Sequence, residues 1–433
     1  MMDFFKNVFK KGDLRRRVVF TLGMLFVFRL GAAVTTPYIN ADALSSTTTG
    51  TGILGIMSML GGGMLERFSI FSLGVSPYIT SSIIIELLSM DVIPALTRWQ
   101  KEGNTGKKKK DRVTRILTLF LSLIQGGSLT YAFDKGYGIL TVSKWYVYVY
   151  VVVIMTAGSM FAMWIGDQIT DKGVGNGMSL LIFTGIVSNL PNNFISTFQS
   201  IVDFTNGAKT AALGIAWYVL FVIVYLAIVV FVVFNEGAVR KIPIMYASST
   251  DVQMHTKENT HMPIKINSSG VLPVIFASSV LAAPRTIISF MDSNTITTQI
   301  DNLLNYQKPF GFCLYLVMIV FFAFFYSNLQ IDAEKISDDL KKSGGSIPGV
   351  RTGVDTQRYI TKVLNRITVV GSIFLLIIAA IPVITPVIWT TTEDAAVSLG
   401  GTGLIIVTGV ALETVKQIKT LITRKEYHGY IRK

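Results

Sequence analysis

The sequence predicts an all-α polytopic membrane protein, and three observations carry that prediction. Apolar residues make up 51% of the 433-residue chain and charged residues 15%, against the roughly one quarter charged of a soluble domain. The mean hydropathy is +0.53. Polar stretches separate apolar runs of about 17–22 residues, the length that crosses a ~30 Å hydrocarbon core. A long soluble chain would instead divide into domains joined by polar linkers.

The apolar runs define ten spans. The first five lie near 18–38, 75–94, 114–133, 145–166 and 178–196, and the second five near 213–234, 270–290, 310–330, 367–388 and 401–417. The first is too long for a cleaved signal peptide, and Thr35-Thr36-Pro37 is a poor small-residue cleavage site. Met1–Arg17 reads as a short amphipathic basic segment lying along the membrane surface.

The net charge of +13 would suggest nucleic acid if it lay on one soluble face. It lies instead in alternate loops. The N-terminal segment, 97–115, 167–177, 235–269, 331–366 and the C-terminal tail hold 32 of the 39 Lys and Arg residues. Such an excess marks the cytoplasmic side, so both termini and the long loops are predicted to face the cytoplasm. Loops this long are functional or disordered. The basic loops at 97–115, 235–269 and 331–366 suit a docking face for a large partner, or simple anchorage to anionic lipid.

An internal repeat organises the spans. Gly74-Val75-Ser76-Pro77-Tyr78-Ile79 opens span two, and Gly270-Val271-Leu272-Pro273-Val274-Ile275 opens span seven. Ser82 and Ser278 extend the match at the same offset. The copies are five spans apart, so the two helices cross in opposite directions, the signature of two five-helix halves related as an inverted repeat. Before span two, residues 53–73 are too interrupted to cross alone and contain Gly61-Gly62-Gly63 and Glu66-Arg67. Backbone of this kind reaches membrane depth only where protein or a watery cavity surrounds it. The segment is expected to be a short re-entrant helix, with an ordinary outer loop bearing a surface helix as the alternative.

Reactive groups are scarce. Cys313 is the single cysteine, which excludes an intrachain disulfide, and His255, His261 and His428 all fall in polar segments. No HExxH occurs. Gly173-Val174-Gly175-Asn176-Gly177 lacks the Lys-Ser/Thr of a phosphate loop. Glu86 is the one acid expected deep in a span, where pairing with a polar neighbour suits it better than ion coupling. A membrane-embedded enzyme is thereby disfavoured, and no cofactor is called for. An inverted-repeat secondary transporter is the alternative to a channel, but it would need coupling carboxylates near the midplane.

Five segments, GGGMLERFSIFSLGVSPYITSSIIIELL (61–88), GVGNGMSLLIFTGIVSNLP (173–191), GVLPVIFASSVLAAP (270–284), IPGVRTGVDTQRYI (347–360) and GGTGLIIV (400–407), resemble the SecY family in the family's order. The resemblance covers essentially the whole chain. It implies the pore-forming centre of the Sec protein-translocation channel: a passive conduit for unfolded secretory polypeptides that also releases transmembrane segments sideways into lipid. The implied halves are 1–196 and 213–433, hinged at the external loop 197–212, around an hourglass pore.

Matched motif by motif, the pore ring would be Val75, Ile79, Met178, Ile182, Ile275 and Ile406. The i, i+4 pairs Val75/Ile79 and Met178/Ile182 each share a helical face, and Ile79 and Ile275 are equivalent in the repeat. Val75 and Met178 depart from the isoleucine-rich ring of the family, and a flexible Met suits a ring that must fit varied chains. The re-entrant segment would be the plug, with Met57, Gly61, Gly62, Gly63, Met64, Leu65, Glu66 and Arg67. Spans two and seven would form the lateral gate, with Pro77, Thr80, Ser82, Gln125, Pro273 and Ser278 near it. Arg240, Lys241, Arg351 and Arg358 would serve docking of the ribosome or the SecA motor ATPase. SecE and SecG, small membrane subunits, are the other implied partners, with preproteins, their signal peptides and the lipid bilayer of the plasma membrane.

Overall fold

The fold follows from a computed structural model, which describes residues 12–40, 64–65, 67–89, 92–142, 144–202, 208–246, 261–270, 272–288, 295–305, 308–388 and 401–430. Helix α1 is Gly12–Ala33. It starts inside the segment expected to lie on the membrane surface, so residues 12–17 are a correction: they are the first turns of the spanning helix. Nothing in Arg15–Arg17 breaks a helix, and Thr21 Oγ1 donates to the Arg17 carbonyl at 2.9 Å, carrying the turn across the junction.

After α1 the chain pairs Thr35 with Ser69 in an antiparallel bridge. Residues 64–65 and 67–73 form consecutive turns, which corrects the expected re-entrant helix wherever the segment is described. Phe68 takes a positive φ of 44°, and turn bonds such as Ser69 N–H to the Met64 carbonyl (3.0 Å) use up the backbone donors. Residues 53–63 and 66 lie outside the described residues.

Helices α2 (Ser76–Leu88), α3 (Pro94–Lys101), α4 (Asn104–Tyr137), α5 (Trp145–Lys172), α6 (Gly177–Ile201) and α7 (Ala208–Gly237) follow. Lys107–Lys110, read as loop, form the first turns of α4, because lysine is a good helix former outside the membrane as well as at its edge. The second half begins with strands β1 (Val239–Pro243), β2 (Met245–Tyr246) and β3 (His261–Lys265), then α8 (Leu272–Ile288), α9 (Thr295–Leu304) and α10 (Pro309–Gln330). It closes with α11 (Ala333–Lys342), β4 (Gly345–Ser346), α12 (Val354–Ile388) and α13 (Gly401–Tyr430).

Six of these helices, α4, α5, α6, α7, α10 and α12, are long and apolar enough to cross a membrane. Helices α1, α2, α8 and α13 are shorter or more charged and complete the ten predicted spans. The short α9 had no counterpart in the sequence reading.

The long polar loops fold together. Strand β1 pairs antiparallel with β3, and β2 pairs with β4, which joins 245–246 to 345–346. Beneath them Ile242, Ile244, Ile264, Leu340, Ile347, Ile360 and Leu364 form one buried cluster. A five-residue strand with one inward Ile cannot bury a core alone, so both loops and the start of α12 contribute to it.

Helices α5 and α6 cross with almost no space between backbones. A Cβ built on Gly177 would lie 1.9 Å from the Gly166 carbonyl oxygen. Gly177→Ala is therefore expected to force α5 and α6 apart and destabilise the protein by about 1–3 kcal/mol. Thermal unfolding in detergent should show a lower midpoint than wild type, whereas Gly127→Ala, whose Cβ meets its nearest atom at 3.9 Å, should leave it unchanged or raised.

Candidate pore constriction and gate

The two copies of the repeat share local geometry. Gly74 and Gly270 both adopt positive φ, 53° and 61°, a conformation open to glycine without strain. Each turns the chain into a helix, α2 or α8, that starts two residues later. Pro77 lies in the first turn of α2, where its missing N–H costs no helical bond. Ser159 of α5 donates to the Gly74 carbonyl at 3.0 Å and so pins the turn before α2. Ile79 N–H closes on the Val75 carbonyl, putting those two side chains on one face.

A second motif positions α6. Asn176 caps it, accepting from the N–H groups of Met178 (3.1 Å) and Ser179 (3.4 Å). Gly175 has φ of 89°. The Gly166/Gly177 crossing then lays Met178 against α5, where a Cβ on Gly166 would touch its sulfur. Helix α13 approaches α6 at Gly403, opposite Ile186.

Through these devices Val75, Ile79, Met178, Ile182, Ile275 and Ile406 come together in one apolar cluster, drawn from α2 and its N-terminal turn, α6, α8 and α13. Val75 and Ile406 are buried, and the other four keep partial exposure. Met64 and Phe71 join the same cluster, while Leu65 is buried in the neighbouring core of α4 and α5. Arg67 is exposed. Met57, Gly61, Gly62, Gly63 and Glu66 lie outside the described residues. No group of metal-ligating side chains occurs among the described residues.

The polar residues read as gate-lining bond within their own helices. Thr80 Oγ1 donates to the Ser76 carbonyl (3.1 Å) and Ser278 Oγ to the Ile275 carbonyl (2.8 Å). Ser82 is partly exposed on α2, Pro273 is buried at the start of α8, and the buried Gln125 Oε1 finds no donor among the described residues. A side-chain bond between the two halves lies elsewhere: Tyr326 Oη of α10 donates to Glu86 Oε2 of α2 at 2.9 Å. Sequence reasoning missed Tyr326, and its one usable clue was an acid inside an apolar run.

Arg240 and Lys241 lie exposed on β1, and Arg351 is exposed in the turn leading to α12, where its carbonyl accepts from Thr356 Oγ1 (2.8 Å). Arg358 stands on the first turns of α12, 4.0 Å from Asp355. All four belong to the folded loop platform.

Comparison with known proteins gives one answer. A SecY family profile matches residues 69–415. Protein translocase subunit SecY of Bacillus subtilis (strain 168) is 41% identical over 435 residues, covering 100% of both chains. The same subunit from Staphylococcus carnosus (strain TM300) is 39% identical, covering 99% of both. A solved protein conducting channel superposes with a TM-score of 0.64 at 16% identity, covering 97% of this chain and 95% of that one. Sec61 in the canine ribosome-channel complex from the endoplasmic reticulum gives the same score at 15% identity. Full-length identity near 40% and a shared ten-helix fold lead to one conclusion: the chain belongs to the SecY family.

Proposed function

We propose that this multi-pass membrane protein is the central pore-forming subunit of a Sec translocon, a passive channel that passes unfolded polypeptides across the plasma membrane and releases transmembrane segments into lipid. The observation that carries the proposal is the convergence of six apolar side chains from four helices of both halves. A constriction of this kind holds back ions by dewetting, yet deforms around a passing chain. A secondary transporter would need polar coordination there instead, and no observation favours it.

Residues 1–196 and 213–433 act as the two halves, pivoting where α6 reaches Ile201 and α7 starts at Ala208. Met64 within the constriction cluster supports a plug formed by the segment around it. The Lys/Arg asymmetry supports cytoplasmic termini and a cytoplasmic loop platform. Two solved neighbours are ribosome complexes, one canine and one from yeast. The exposed Arg240, Lys241, Arg351 and Arg358 suit rRNA phosphate or acidic patches of the SecA motor. SecE and SecG complete the proposed membrane complex. The chain hydrolyses nothing itself, and its partners supply the energy.

A photocrosslinking residue at position 79 tests the proposal. With a secretory preprotein stalled partway through transport in SecA-containing membranes, position 79 is expected to form a preprotein adduct. Val153, exposed on the outer face of α5, is expected to form none. Intact transport with no adduct at 79 would remove the constriction from the path.

A further inference from the structure

Helix α2 packs its backbone along α4 of its own half, yet turns Ile79, Ile83 and Leu87 toward the core of the other half, among residues of α8 and α10. These three positions form one stripe at i, i+4 and i+8. Glu86 stands beside the stripe and accepts the hydrogen bond from Tyr326.

Each partner is anchored within its own half. The Tyr326 ring is 3% exposed and lies 4.7 Å from the ring of Phe276 on α8. The next residue, Ser327, shares a 2.7 Å hydrogen bond with Thr368 of α12. On the other side, Ser89 Oγ donates to the Glu86 carbonyl, and Lys110 Nζ of α4 donates to Ser89 Oγ at 3.1 Å. Parting α2 from α8 and α10 must therefore pull Glu86 away from Tyr326, because neither can follow the other.

We infer that the Glu86–Tyr326 hydrogen bond is a polar latch across the gate and sets how apolar an entering segment must be to open it. The inference rests on the channel reading above. An apolar segment can replace the contacts of Ile79, Ile83 and Leu87 with equivalent ones of its own. It offers no partner to an acid or a phenol, and a polar group stripped of its partner beside lipid is costly. Burial of the segment must offset that loss, at about 25 cal/mol per Å² of apolar surface. In the proposed orientation both residues lie toward the cytoplasmic ends of their helices, where an entering segment arrives first.

The test compares transport of one secretory preprotein with its intact signal segment and with two signal leucines replaced by serine, in the same membranes with SecA. Tyr326→Phe removes the donor and keeps the ring, Glu86→Leu removes the acceptor, and Glu86→Gln keeps an acceptor oxygen. The ratio of weakened to intact transport is expected to rise about tenfold in Tyr326→Phe and in Glu86→Leu. It should rise no further in the double variant, and Glu86→Gln should stay within about twofold of wild type. Unchanged ratios, or additive effects in the double variant, would overturn the latch. Should Tyr326→Phe fail to assemble, the contrast between Glu86→Leu and Glu86→Gln decides the same question. If the wild-type chain fails to transport even the intact preprotein, the channel reading itself falls, an outcome distinct from failure of the latch.

Discussion

Ile79 packs against two apolar cores of the molecule, the cluster that gathers α1, α5, α6 and α13 and the cluster built on α8, α10 and α12. The rest of the structure serves that double contact. The proposed passage must stay closed to ions, which favours apolar side chains in close contact, and must also come apart, which forbids a fused core. Dispersion and hydrophobic contact meet both needs, because they are non-directional and a passing chain can replace them. A ring of hydrogen bonds would demand one geometry and leave unpaired groups whenever it opened.

The remaining contacts between the halves are unequal around the molecule. On one side α6 lies against both α7 and α13, and Leu14 and Val18 of α1 meet Ile418, Leu421 and Ile422 of α13 over Val174. This side is broad and backbone-close. On the other side α2 meets the second half through the Ile79–Ile83–Leu87 stripe and Glu86. In the channel proposed above, the α2 side is the one that parts and the α6–α7 side the one that pivots.

Much of this was legible in the sequence, for identifiable reasons. Span positions follow from hydropathy, since the length of a crossing is set by the bilayer. The repeat around Pro77 and Pro273 was readable because glycine and proline impose backbone geometry locally, and Gly74 and Gly270 indeed share positive φ. Helix ends were less readable. Hydropathy sees the membrane and not the helix, so it stopped at the apolar edge while α1, α4 and α12 continue through Arg15–Arg17, Lys107–Lys110 and Val354–Arg366. The turns at 67–73 were hidden because their conformation depends on α5, where Gly158 lets the Ile70 carbonyl approach. Pairing of Met245–Tyr246 with Gly345–Ser346 joins segments too distant in sequence for any local pattern to reveal. Glu86 stood out as an acid in an apolar run, but nothing in the sequence named Tyr326 as its partner.

The proposed constriction seals because it is apolar. Ion flux through vesicles containing the purified channel complex at rest tests it directly. Replacing Ile79 and Ile182 together with asparagine should let water wet the constriction and raise chloride flux by roughly tenfold or more, while Val153→Asn on the outer face of α5 leaves it at the wild-type level. Flux that stays at the wild-type level in the doubly substituted channel, with the complex intact, would contradict the claim and place the seal elsewhere in the molecule.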